Sequence, residues 1–392
     1  MTNQPPNQAP ALPIVKGSWE DLLLQAQQLA TKQDDAAIPI FRKLVDRLGG
    51  LPAKQRAAAN GRLNEILVRA AVDYQFYLSI RDLYDEALAV NTFVRPLIPE
   101  AEHTPWDRHA AAMRIQAGQV AEGLATMRDL AASGDLDQWG DVLFASVYHE
   151  QFTDAALAIS GAEARLNQAH SQQFTSEEAK RDQAFVAYLK ARLALAQGQA
   201  TESVAWYEHA MMLDSFYLDN PQYLYTHLMD AHAYGEAQPL IRRDQKNPIR
   251  AGFWQGLLYK HNGQPADAER QWRKVIQAEL PEEGAVDYLE FVLSHFYLGD
   301  REATGLGSVL RAANKEPEFW GLFYLAGLGW AMRDDMVAAR SDMQLALIRR
   351  KSMAEGRKLA RNWWQFCADL LDEDKQAQLV EFFDNAQIQR PT

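Results

Sequence analysis

Small and apolar residues recur along this chain at helical spacing, in helix pairs that return about every 34 residues. The clearest copy is Trp254, Gly256, Tyr259, Gly263, Ala268 and Trp272, with Pro281 closing the unit. Gly256 and Ala268 are small where two helices would cross, so the backbones can approach closely, and Trp272 one turn on fills the space beside the contact. A second copy at 318–349 uses Gly327, Trp330, Ala339, Met343 and Ala346, with Asp334 where a glycine would turn the chain. A third, at 184–215, uses Ala191, Gly198, Ser203, Tyr207 and Ala210. Weaker copies place the small residue of the second helix at Ala37, Ala87, Gly123, Ala156, Ala237 and Thr304, and six of the eight intervals lie within three residues of 34. No stretch alternates polar and β-branched residues long enough to read as a sheet.

A hairpin this short cannot bury its own apolar face, so the copies must stack. The two long intervals predict an extended helix between Gly50 and Ser79 and a longer joint between Gly161 and Gly198, where Thr175 or Ser176 followed by Glu177 and Glu178 reads as a helix start. The expected organisation is a Pro/Gln/Asn-rich tail over 1–17 and an array of about nine repeats over 18–350, with insertions near 50–80 and 161–185. Capping helices and a short tail follow over 351–392.

In this pattern the chain resembles the tetratricopeptide repeat family. The resemblance implies an all-α, right-handed α-solenoid or superhelix of stacked helix-turn-helix units, whose first helices (helix A) line a concave groove that holds a protein or peptide. Carried over position by position, that groove would be formed by Tyr188, Arg192, Thr226, Asp230, Phe253, Lys260, His261, Phe296, Tyr297, Tyr324 and Met332. Aromatic faces among positive charges suit an extended peptide or amphipathic helix with apolar anchors and some acidic residues. Part of the family clamps the acidic tails of chaperones with Lys, Arg and paired Asn. Arg192, Arg250 and Lys260 offer charge here, but the asparagines are missing, and chaperone-tail binding is not expected.

Composition narrows the class. The chain has 392 residues, more than one globular core usually organises, whereas a solenoid grows in one dimension. A net charge of -12 opposes general attraction to phosphate backbones, and no direct DNA binding is expected. The basic stretch 349–361 is followed by Asp369, Asp372, Glu373 and Asp374, which neutralise it. One cysteine, the lack of a signal-like start and the lack of a membrane-length apolar run point to a cytoplasmic protein. Exposed end repeats would permit self-association.

Candidate chemistry is sparse. Glu100 and His103 sit in a Pro-flanked stretch that reads as a loop. His227, Asp230 and His232 are the densest set of metal-ligating types, but on one helix His232 would point about 140° away from His227. Cys367 lies in an apolar helical context and reads as a structural thiol. No nucleophile elbow, P-loop or dinucleotide fingerprint occurs. Neither a cofactor nor a metal is expected, and the function expected is a non-catalytic interaction scaffold or adaptor. One alternative is a carbohydrate-active helical toroid, with Asp135, Asp219, Asp287 and Asp300 near helix starts as candidate acids, although Asp is also a favoured helix cap. Another is the ligand-sensing partner of a regulatory system.

Overall fold

The computed structural model describes residues 18–32, 34–57, 61–170, 176–244, 246–278, 285–300, 304–315, 320–352 and 361–385. They form twenty-two α-helices and two 3₁₀ turns, with no strand among the described residues. The expected tail over 1–17 and residues 353–360 of the basic stretch lie outside them. By backbone contacts the chain divides into two compact units, residues 1–123 and 124–392.

The first unit holds α1 (Trp19–Thr31), α2 (Ala37–Gly49), the short α3 (Ala53–Ala57), α4 (Arg62–Ile80), α5 (Tyr84–Val94), two 3₁₀ turns (Arg95–Leu97 and Glu100–Glu102) and α6 (His103–Gln116). His103 is therefore the first residue of a helix and Glu100 lies in a 3₁₀ turn, not in a loop. Its core is built on Phe41, Leu44, Leu67, Tyr74 and Leu78. Helix α7 (Val120–Ala132) crosses the division between the units.

The second unit continues with α8 (Leu136–Tyr148), α9 (Phe152–Ala169), α10 (Glu177–Ala196), α11 (Ala200–Leu213), α12 (Ser215–Asp219), α13 (Gln222–Asp230) and α14 (Tyr234–Arg243). Then come α15 (Pro248–His261), α16 (Pro265–Val275), α17 (Ala285–Tyr297), α18 (Thr304–Lys315), α19 (Trp320–Met332), α20 (Met336–Ser352), α21 (Arg361–Leu370) and α22 (Glu373–Asn385). Ser176 caps α10 by accepting from the Ala179 amide at 3.1 Å, with Glu177 and Glu178 in the first turn. Carboxylates there suit the positive end of the helix dipole.

Eight hairpins share one turn. A residue with positive φ closes each: Asp82, Gly118, Glu150, Gly198, His232, Gly263, Gly299 and Asp334. The next amide then bonds back to the carbonyl five residues before the turn residue's successor, as from Gln199 to Ala194, Gln264 to Tyr259 and Asp335 to Trp330. This closure satisfies carbonyls that the helix end leaves free. The small residue of helix B follows the turn by five positions in every hairpin whose side chain there is described. In α9 it is the fully buried Ala155, so Ala156, which is exposed, is corrected by one position. The side chain of Thr304 lies outside the described residues.

The crossings show why the small residues are needed. A Cβ on Gly327 would lie 2.6 Å from Met343 Cγ and 3.0 Å from the Ala339 carbonyl oxygen. Ser203, also at a crossing, donates its hydroxyl to the Ala191 carbonyl at 2.7 Å. Trp272 donates its indole N–H to the Phe253 carbonyl at 3.2 Å across the Gly256 contact. The fold is thus an all-α solenoid of tetratricopeptide-like hairpins.

Candidate functional site

In the second unit the A helices α10, α13, α15, α17 and α19 carry the residues expected to line a groove. The structure sorts these into two groups. Tyr188, Phe253, Phe296, Tyr324 and Met332 are buried, and Phe253 and Tyr324 have no exposed surface at all. The expectation that these five stand open to a partner is corrected, because they are large side chains enclosed by the main hydrophobic core. Arg192, Thr226, Asp230, Lys260, His261 and Tyr297 are only partly covered. Arg250 is not open to a partner: it is buried and pairs with Asp244 at 2.8 Å, and Asp244 also accepts from the Tyr225 hydroxyl at 2.8 Å.

The partly covered residues make two clusters. Around Arg192, the guanidinium donates to the Tyr188 hydroxyl at 3.0 Å and lies over the Phe144 ring, 5.4 Å from its centroid. Tyr188 in turn meets the rings of Tyr207, Tyr217 and Tyr223. Arg192 has no carboxylate partner among the described residues. Burial, with the Arg192 charge as a second cause, holds the His227 imidazole well below its ordinary value.

Around Lys260 the picture is different, because α21 lies on the same face. Lys260 Nζ meets Asp369 Oδ1 at 2.6 Å, the Tyr297 hydroxyl donates to Asp369 Oδ2 at 2.7 Å, and Gln365 Nε2 donates to Oδ1 at 2.8 Å. Burial and the adjoining carboxylate push the Tyr297 phenol well above its usual range, so it stays protonated and can donate. His261 stacks on Tyr234 with ring centroids 4.7 Å apart, and burial lowers its imidazole from the ordinary value despite the opposing pull of Asp369. Phe366 packs edge-on against Phe253 at 5.8 Å. Trp363 meets Trp320 at 5.1 Å and Tyr324 at 4.6 Å, and its carbonyl accepts from the Tyr324 hydroxyl. Cys367 is fully buried in this contact, and burial pushes its thiol up to about 12.

Sequence reasoning missed the α21 contribution. Trp363 reads as cap packing and Asp369 as a neutraliser of the basic stretch. The available signal was an apolar stripe at 363, 366, 367 and 370 with one aspartate beside it.

The remaining candidates do not converge. His232 is not helical; it is a turn residue with φ 57°, its Nδ1 2.6 Å from the Tyr234 hydroxyl. Among the described residues no group of three His, Cys, Asp or Glu is placed to hold a metal ion. Asp135 caps α8 through the Gln138 amide at 3.1 Å. Asp219 ends α12 rather than starting a helix and pairs with Lys246 at 2.6 Å. Asp300 pairs with His295 at 2.9 Å, and the side chain of Asp287 lies outside the described residues. No described helix is long and apolar enough to cross a membrane.

No protein-family model and no curated protein matches the chain. Among solved structures it is similar to YrrB, a TPR protein with an unusual peptide-binding site, at 14% identity over 55% of this chain and 97% of that one, with a TM-score of 0.27. It is similar also to a tetratricopeptide repeat protein from Parabacteroides merdae, at 11% identity over 87% and 98% with a TM-score of 0.32. A third is the apo form of the quorum sensor NprR from B. thuringiensis, at 13% identity over 83% and 97% with a TM-score of 0.33. The assignment of tetratricopeptide-like hairpins rests on the shared turns and crossings of this chain itself.

Proposed function

We propose that this protein is a non-catalytic interaction scaffold that holds an acidic peptide or amphipathic helix on the A-helix face of its second unit. The observation that carries the reading is Arg192, a cation set among aromatic rings with no carboxylate partner among the described residues. An acidic side chain of a partner would complete it, and charge-assisted bonds of that kind contribute about 1.5–3 kcal/mol. Thr226, Asp230, Lys260, His261 and Tyr297 supply further polar positions along the same helices. The reading includes a cytoplasmic setting and no direct DNA contact, in keeping with the net charge of -12.

The test is a displayed peptide library selected on the full-length protein, with the enriched peptides measured by fluorescence polarisation. Arg192→Ala should weaken them by about 10-fold or more with an unchanged helical spectrum. Peptides that bind the variant as well as wild type would remove Arg192 from the site. Turnover on a glycan panel, lost on changing one Asp or Glu, would replace the scaffold reading with the enzyme.

A further inference from the structure

Helix α21 does more than close the array. A terminal hairpin that merely capped the stack would rest on the preceding pair alone, and α22 does pack on α20. By contrast, α21 touches α13 and α19 and places side chains on α15 and α17 between them. It thus crosses several repeats in the manner of a helical ligand in a groove, with anchors Trp363, Phe366 and Leu370 at helical spacing and Asp369 held by Lys260 and Tyr297. The fit is incomplete at one end. A cavity of about 280 Å³ remains beside Leu370, bounded by Lys260, Trp272, Tyr297, Met332 and Asp369.

We propose that α21 is a resident pseudo-ligand. The true occupant of the α13–α19 face is an acidic amphipathic helix of a partner protein, which repeats the Trp-x-x-Phe-x-x-Asp pattern of 363–369 and carries a larger aromatic residue in place of Leu370. Binding this helix displaces α21. The charge pattern follows from Lys260 and Tyr297, which offer only donors to Asp369, and the size preference follows from the space left beside Leu370. The inference rests on the scaffold reading, but it concerns the Lys260 cluster and not the Arg192 cluster.

The sole cysteine reports the exchange. Cys367 belongs to α21 and its side chain is fully buried, so its modification by a maleimide requires that α21 leave. Two fluorescein-labelled peptides of residues 361–375, both with Cys367→Ser and one also with Leu370→Phe, are added to the full-length protein. The Leu370→Phe peptide should bind at least about 10-fold more tightly and accelerate Cys367 modification to a plateau. Asp369→Ala in the peptide should abolish both effects. A full-length Phe366→Ala, Asp369→Ala variant should label quickly and bind either peptide more tightly than wild type, and adding Lys260→Glu should remove that binding.

Cys367 that stays protected at saturating peptide would overturn the proposal, as would a loosened variant that labels quickly yet binds no peptide. If the double variant loses its helical spectrum, the single Asp369→Ala chain makes the same comparison. Library peptides that need Arg192 but leave Cys367 protected would sustain the scaffold and sink this inference.

Discussion

The faces around Arg192 and Lys260 are built by two hairpins of one kind, with the same turn and the same sort of crossing, yet they end in opposite states. Arg192 lies among rings with no carboxylate among the described residues, while Lys260 is closed by an aspartate that the chain itself supplies from more than one hundred positions away. Periodicity lines up a face of A helices without specifying what covers it. The covering depends on one helix outside the repeating pattern, whose side chains match the A-helix face by chemistry and not by register.

The largest effect that separates the two faces is expected at their aromatic residues. Phe253 is enclosed beneath α21, so Phe253→Ala should lower stability by about 3–5 kcal/mol in urea unfolding. Phe144, only partly buried beside Arg192, should lose less than half of that when replaced by alanine. Equal losses would mean that α21 adds nothing to the burial of the face it covers.

Next comes the crossing beneath the Lys260 face. A Cβ on Gly256 would lie under 3.0 Å from the Trp272 ring, which is itself bonded to the Phe253 carbonyl. Gly256→Ala should therefore destabilise by about 1–3 kcal/mol, even though alanine favours the helix. A neutral result would show that the crossing can widen without cost.

The sharpest contrast lies in thiol protection. Lys260→Ala removes one of the donors to Asp369 and should speed Cys367 modification by about 10-fold, whereas Arg192→Ala should leave it unchanged. An equal rise in both would mean that the two clusters open together.

The smallest effect is the response to acid. His227 is held in its neutral form by burial, so its folded value lies below the ordinary 6.5. The unfolded chain then takes up the proton first as pH falls below about 6.5, and stability present above that point is lost on acidification, by up to about 1.4 kcal/mol per pH unit. Denaturation midpoints from pH 7 to pH 5 should fall for wild type, and His227→Gln should flatten the slope. An unchanged slope would place the sensitivity elsewhere.

Much of the fold was legible in the sequence because it is repetitive. Gly256, Ala268 and Trp272 state in one hairpin what Ala191, Ser203 and Tyr207 state in another, and both crossings hold. The one-position shift at Ala155 arose because two adjacent alanines carry no size difference, and only the turn at Glu150 fixes the register. His232 escaped notice as a turn residue because histidine lacks the local signature of glycine at positive φ. The positions on the A helices were legible, but their exposure was not. A buried Phe253 and an open one have the same spacing, and the difference comes from a segment far along the chain.

That distance has a consequence for biosynthesis. The aromatic faces of α13 to α19 leave the ribosome before α21, with roughly 40 residues still to be added, which takes about 2–8 s at ordinary elongation rates. For that interval the nascent chain displays an uncovered Phe253, Tyr297 and Tyr324 to every holdase nearby. The emergence of α21 is thus the event that first quiets this surface.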